Sequence, residues 1–273
     1  MNKIGFIWSW FIGGNMAQNF RERGYDVTQY SLEEPYVHNK EAVKECDTVF
    51  VAVQTPTTDR KFDGTILERA IREGTAPWQK IVTKSTILVG TTDKLQELFQ
   101  DRYFFHSAEF LTEKNAKNDV DNPTRNVVGY TEQSKQYAQD IMDLLPESPY
   151  NILCTAKESE MGKYMSNFML TSKVVMANII YDICQKYGID YDVIRGIACK
   201  DPRIGEGHLS VVDENGGRGA NGHCFPKDLS AVHEMYGDES LGHNLLEAVE
   251  QYNLDLNLST DKDVQIIKAV FGI

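Results

Sequence analysis

Four strand-length apolar runs punctuate the first third of this chain, at residues 3–7, 25–30, 47–53 and 80–84, and helix-length segments separate them. Residues 13–23 read as a helix closed by Gly24, and 91–100 as another. Parallel strands need a crossover between them, and a helix is the usual one, so this alternation predicts an α/β fold: a Rossmann-like, doubly wound parallel sheet. Such sheets take ligands beyond the carboxyl ends of their strands. Thr55-Pro56-Thr57 and Ser85-Thr86 occupy two of those ends, where ordinary loop chemistry is the competing reading.

From 156 to 187 the period changes. Met161, Tyr164, Met165, Phe168, Met169, Val175, Met176, Ile179, Ile180 and Ile183 follow helical spacing with no proline among them. A helix of that length runs about 45 Å, and so broad an apolar surface either links domains or packs on a second subunit. Gly188 closes it, another helix spans about 191–200, a glycine-rich loop covers 205–222, and helices end the chain. The expected domains are 1–153, Rossmann-like and dinucleotide-binding, and 154–273, a small all-helical domain.

The balance of 28 basic against 40 acidic residues, net −12, argues against nucleic acid or an anionic membrane as partner, since either needs a basic face. Five scattered cysteines have neither paired nor metal-ligand spacing, which suits a reducing cytoplasm and predicts no metal. No run approaches membrane-spanning length, and the N-terminus enters a strand pattern without a signal peptide. A soluble cytoplasmic protein is expected.

One cysteine stands apart. Cys224 lies in Gly219-Ala220-Asn221-Gly222-His223-Cys224-Phe225-Pro226-Lys227-Asp228, beside a cation and in open backbone, which favours the nucleophilic thiolate. Cys184, by contrast, sits in an apolar run as structural cysteines do.

Six segments in order, over nearly the whole chain, resemble the UDP-glucose/GDP-mannose 6-dehydrogenase family. They are Val53-Gln54-Thr55-Pro56-Thr57, Lys84-Ser85-Thr86, Ala108-Glu109-Phe110-Leu111-Thr112-Glu113, Glu160-Met161-Gly162-Lys163-Tyr164-Met165-Ser166-Asn167, Asp201-Pro202-Arg203-Ile204-Gly205 and the Cys224 loop. The resemblance implies oxidation of a nucleotide-sugar C6 alcohol to the carboxylate, in two hydride transfers to NAD, through a thiohemiacetal and a thioester on Cys224. Lys163 and Asn167, four apart on a helix and so on one face, would stabilise charge on the reacting oxygen. Asp228 would orient Lys163 or water, while Glu109 and Thr86 would serve the water that releases product. Dinucleotide contacts are implied at Gly13, Ser31, Thr55, Pro56, Thr86 and Glu113. Substrate contacts are implied at Phe110, Leu111, Arg203, Gly219 and Gly222, with a homodimer formed through 156–187. Each residue has a structural competitor: a solvated stripe for Lys163 and Asn167, a turn for Glu109, a pair with Asp201 for Arg203, a helix cap for Asp228.

The chain departs from the family pattern at the dinucleotide fingerprint. Trp8-Ser9-Trp10-Phe11-Ile12-Gly13 stands where Gly-x-Gly-x-x-Gly is expected, and an indole at either position adds bulk where backbone should approach a pyrophosphate. Ser31 replaces the acidic residue that holds the adenine ribose, which leaves NADP open beside NAD. Asn221 replaces a glycine, and a short form without the family's C-terminal domain is expected. Two further readings follow: a non-catalytic member whose dinucleotide site Trp8 and Trp10 block, or an oxidoreductase of the β-hydroxyacid dehydrogenase type, suggested by Gly13-Gly14-Asn15-Met16-Ala17.

Overall fold

The computed structural model describes residues 2–8, 11–112, 115–237 and 241–273, with the side chains of Phe11 and Ile12 set aside. Trp10 and Glu113 therefore lie outside the described residues. In chain order the elements begin β1 (Lys3–Trp8), α1 (Phe11–Glu22), β2 (Asp26–Tyr30), α2 (Lys40–Val43), β3 (Thr48–Ala52), β4 (Thr57–Thr58), β5 (Lys61–Phe62) and α3 (Thr65–Gly74). There follow β6 (Lys80–Thr83), α4 (Thr91–Leu98), β7 (Tyr103–His106), α5 (Ala116–Asp121), β8 (Asn126–Tyr130), α6 (Ala138–Leu144) and β9 (Asn151–Thr155). The chain closes with α7 (Ala156–Tyr187), α8 (Tyr191–Ala198), α9 (Phe225–Tyr236), α10 (His243–Ser259) and α11 (Val264–Phe271).

The chain forms two compact units, residues 1–55 with 63–163, and residues 56–62 with 164–273. The dividing line thus falls at 163/164, inside α7, rather than at the expected 153/154, because the first two turns of α7 pack with the sheet.

The first unit is built on a seven-stranded sheet of order β2-β1-β3-β6-β7-β8-β9. Its pairings are parallel except β7 with β8. β3 is buried at every position, as the near-continuous apolar run of a doubly covered central strand requires. Phe6 stacks on Phe50 at 5.2 Å and meets Phe20 edge-on at 5.4 Å, joining β1, β3 and α1 in one core. β9 at the sheet edge is mostly exposed.

The second unit is helical from residue 164 on, and the β4–β5 hairpin joins it. Asp59 and Arg60, at φ 50° and 63°, form a turn with both central residues left-handed, the type that matches hairpin twist. Arg60 N donates to Val270 O at 2.8 Å, and its guanidinium pairs with the buried Glu250. No described helix is long and apolar enough to cross a membrane.

Candidate active site

In the first unit, the loops after β3 and β6 are cross-linked side chain to backbone. Ser85 Oγ donates to Val53 O at 2.6 Å and accepts from Val53 N at 3.1 Å, while Thr55 Oγ1 donates to Thr86 O at 2.7 Å. Thr55 and Thr86 are thus brought together at the carboxyl edge of the sheet. Pro56, next in sequence, starts the hairpin segment of the second unit.

Glu109 follows β7, and Lys84, at the end of β6, holds its carboxylate at 2.6 Å, with Lys84 only 7 % exposed. Lys84 also donates to Ser107 Oγ at 3.2 Å. Lys163, buried in the second turn of α7, donates to Glu109 O at 2.7 Å and lies 5.4 Å from the Phe110 ring centre. Arg125 caps that ring at 3.8 Å. Phe110 and Leu111 are half-buried in this loop. His106 is fully buried between Ser159 Oγ, 2.8 Å from Nδ1, and the Ser85 carbonyl, 3.3 Å from Nε2; burial pushes its imidazole down to about 3, so it is neutral. Glu160 of the expected motif is structural: it accepts Gly90 N at 2.5 Å, Thr92 N at 2.8 Å and Thr92 Oγ1 at 2.6 Å, capping α4. Burial raises its carboxyl above the usual range.

His106 and Arg125 escaped the sequence reading, and Lys84, which opens one of the six resembling segments, was given no role there. A lysine ending a short strand resembles a surface cation, and only its burial against Glu109 reveals otherwise.

In the second unit, Cys224 is exposed where the loop becomes α9, with Pro226 in the first turn. Asp228 N donates to Cys224 O at 2.9 Å. The Asp228 carboxylate is 1 % exposed and accepts from Asn167 Nδ2 at 2.5 Å and Lys227 Nζ at 2.5 Å. It therefore fixes the Asn167 amide.

The loop before Cys224 is gripped from α10. Asn253 donates to Ala220 O at 2.9 Å and accepts Ala220 N at 2.7 Å, and Asn257 donates to the same carbonyl at 3.2 Å. Both asparagines are fully buried, and one turn apart they face the loop together. The polar pair Asn253-x-x-x-Asn257 inside an apolar helix stripe was the signal available in sequence. Gly219 and Gly222 hold φ of +94° and +72°; a Cβ on Gly219 would sit 2.6 Å from Asn257 Nδ2. Asn221 is not among the left-handed residues, so its replacement of a glycine asks nothing unusual of the backbone. Arg203 is exposed and forms a bidentate pair with Asp201, at 3.0 Å and 2.6 Å, as its structural competitor requires.

At the amino end of α1, Trp8 is the last residue of β1, paired in register with Ala52. Its side chain lies over Gly13 and Gly14 and meets the Tyr36 ring edge-on at 5.7 Å. Beside it a cavity of about 430 Å³ opens between the end of β2 and α3, lined by Ile7, Tyr30, Ser31, Leu32, Val53 and Arg69 among others. Ser31 is 4 % exposed, its Oγ bonded at 3.2 Å to both Glu33 N and Glu33 O.

Sheet order and crossovers define a Rossmann-like, doubly wound α/β architecture. Solved structures agree: a UDP-glucose dehydrogenase from Pyrobaculum islandicum superposes with a TM-score of 0.79 at 24% identity, covering 95% of this chain and 68% of that one. A UDP-D-ManNAc dehydrogenase from Pyrococcus horikoshii gives 0.81 at 22%, covering 94% and 69%. A 3-hydroxyisobutyrate dehydrogenase from Mycobacterium tuberculosis gives 0.71 at 17%, covering 100% and 98%. At these identities the likeness is one of fold. The models of the UDP-glucose/GDP-mannose dehydrogenase family match at residues 31–145, its NAD binding domain, and 157–255, its central domain, and the chain belongs to that family. It is 34% identical over 232 residues to a UDP-glucose 6-dehydrogenase of Rhizobium meliloti, covering 78% of this chain and 51% of the relative. It is 26% identical over 306 residues to the UDP-glucose 6-dehydrogenase AglM of Haloferax volcanii, covering 92% and 69%. The chain spans about half the length of most of the curated relatives it matches.

The matched NAD binding domain supports a nicotinamide dinucleotide as cofactor. The residues fit its nucleoside end: the cavity beside Ser31 has apolar walls, a buried hydroxyl and room for a purine nucleoside.

Proposed function

We propose that this chain is a nucleotide-sugar 6-dehydrogenase, oxidising the C6 alcohol of a nucleotide sugar to the carboxylate with Cys224 as covalent nucleophile. The observation that carries this reading is Cys224 exposed at the head of α9, with Asp228 of the same first turn fixing Asn167. A nicotinamide dinucleotide, which Ser31, Thr55 and Thr86 would contact, would accept the C6 hydride in each of two oxidations, alcohol to aldehyde and thiohemiacetal to thioester.

The chain's own residues have separable tasks. The Cys224 sulfur adds to the C6 aldehyde, forming a C–S bond while the carbonyl oxygen takes the electron pair. Lys163 supplies a cation and Asn167 an amide for that oxygen's charge. Oxidation of the thiohemiacetal leaves a thioester, and water, prepared by Glu109 with Thr86, cleaves it to carboxylate and returns the thiol. Phe110, Leu111, Arg203, Gly219 and Gly222 are assigned to the substrate. Intact-mass spectrometry of the protein with NAD and UDP-glucose, GDP-mannose or UDP-N-acetylmannosamine tests the covalent step. A sugar adduct on Cys224 supports it, and an adduct-free protein that nevertheless turns over excludes it.

The same reading includes a homodimer through α7. Met165, Met169, Met176, Ile180 and Ile183 are 65 %, 52 %, 47 %, 43 % and 46 % exposed in the single chain, an apolar stripe that a second copy would cover. Light scattering on the eluting protein decides between one copy and two.

A further inference from the structure

We propose that Trp8 is a plug in the dinucleotide site: its indole occupies the space over the α1 turn, and a dinucleotide binds only as the indole is displaced. This rests on the dinucleotide reading above and adds the residue that sets its affinity.

The geometry is specific. A Cβ on Gly13 would lie 2.2 Å from Trp8 Cβ and 2.7 Å from Cγ, and one on Gly14 would lie 3.7 Å from Trp8 Cη2. In the fingerprint, glycines at this turn let backbone approach the pyrophosphate and the helix approach the strand. Here Gly13 and Gly14 admit the indole instead. The indole packs on the core under α1 and against Tyr36, which holds it in place. The nucleoside-sized cavity beside Ser31 stays open, with Trp8 forming part of its wall.

A second observation makes this a movable plug. Trp8 Nε1 is buried and has no hydrogen-bond partner. An unsatisfied donor opposes the packing that holds it, and swinging toward solvent gives that N–H a partner in water. Packing favours the closed position and the stranded donor favours the open one, so the two states differ by a modest factor. Apparent affinity then falls by the fraction of molecules that are open.

Calorimetric titration of NAD into the wild-type chain and Trp8→Gly tests this, with binding itself as the readout. The plug predicts that Trp8→Gly tightens NAD binding by about ten- to a hundred-fold. Equal affinity in both proteins overturns the plug and leaves the dinucleotide reading standing. Absence of binding in both overturns the dinucleotide reading and the plug with it. A second measurement does not depend on the folding of Trp8→Gly. In Trp10→Phe/Trp78→Phe, Trp8 is the sole indole, and NAD should shift its emission to the red as the ring enters water. Saturable binding with unchanged emission overturns the proposal.

Discussion

Asn167 on α7 and Asp228 in the first turn of α9 lie 61 positions apart in the chain and meet in a buried 2.5 Å hydrogen bond. The pair couples the long helix to the cysteine loop, and Lys227 completes it. Asp228→Ala strands a buried amide and a half-buried ammonium, and should cost about 3 kcal/mol of unfolding free energy in urea. Asp228→Asn keeps the volume, removes the charge, and should recover part of that stability while activity stays at least ten-fold down. Full activity in Asp228→Asn would show that the carboxylate only braces the fold.

In the first unit the buried Lys84 forms an ion pair with the half-buried Glu109. Removing one member leaves the other's charge uncompensated, so Lys84→Met should lower stability by about 3 kcal/mol. Lys84→Met/Glu109→Gln should regain much of that and yet remain inactive. A double-mutant cycle with no coupling energy would contradict the pairing.

His106 gives a pH signature. Its folded pKa, pushed by burial down to about 3, lies below the ordinary value of about 6.5. Above pH 6.5 both folded and unfolded forms are neutral, and the full stability is present. As pH falls from 6.5 toward 3 the unfolded chain takes a proton that the folded one refuses, so stability is lost through that window. The slope from this one group approaches ~1.4 kcal/mol per pH unit. Subtracting the urea stability of His106→Gln at each pH should isolate it. A difference that stays flat between pH 6 and 4 would show that the imidazole charges freely in the folded protein.

Asn253 and Asn257 are predicted to hold the thiol's loop in one geometry. Asn253→Ala removes both bonds to Ala220 and should cost about 2 kcal/mol. It should also change the rate at which iodoacetamide labels Cys224, read by peptide mass spectrometry. Labelling at the wild-type rate would dissociate these asparagines from the loop.

What could be read in the sequence, and what could not, divides along physical lines. The strands at 3–7, 47–53 and 80–84 and the helix at 156–187 were legible because each carries its own period. β7 (Tyr103–His106) was missed although it matches β6 in length and in burial from its second position, so neither property separates the two. β9 was missed because at the sheet edge Asn151–Thr155 is mostly exposed and lacks a buried face. The β4–β5 hairpin hid because its left-handed turn is Asp59-Arg60, without the glycine that usually marks it. Among the candidate residues, Cys224 stood out by its glycine-rich loop and neighbouring cation, and Lys163 and Asn167 through the family resemblance. Lys84, His106 and Asn253 did not, since their meaning lies in partners tens of residues away.

The most direct test of the account is the yield of reduced nicotinamide from a limiting nucleotide sugar. It should be measured at saturating NAD with the Trp8→Gly chain, with and without Cys224→Ala. The account predicts two hydride equivalents per sugar consumed with Cys224 present and no carboxylate product without it. Reduction that proceeds at full rate in Cys224→Ala would contradict it and favour an alcohol dehydrogenase of the β-hydroxyacid type.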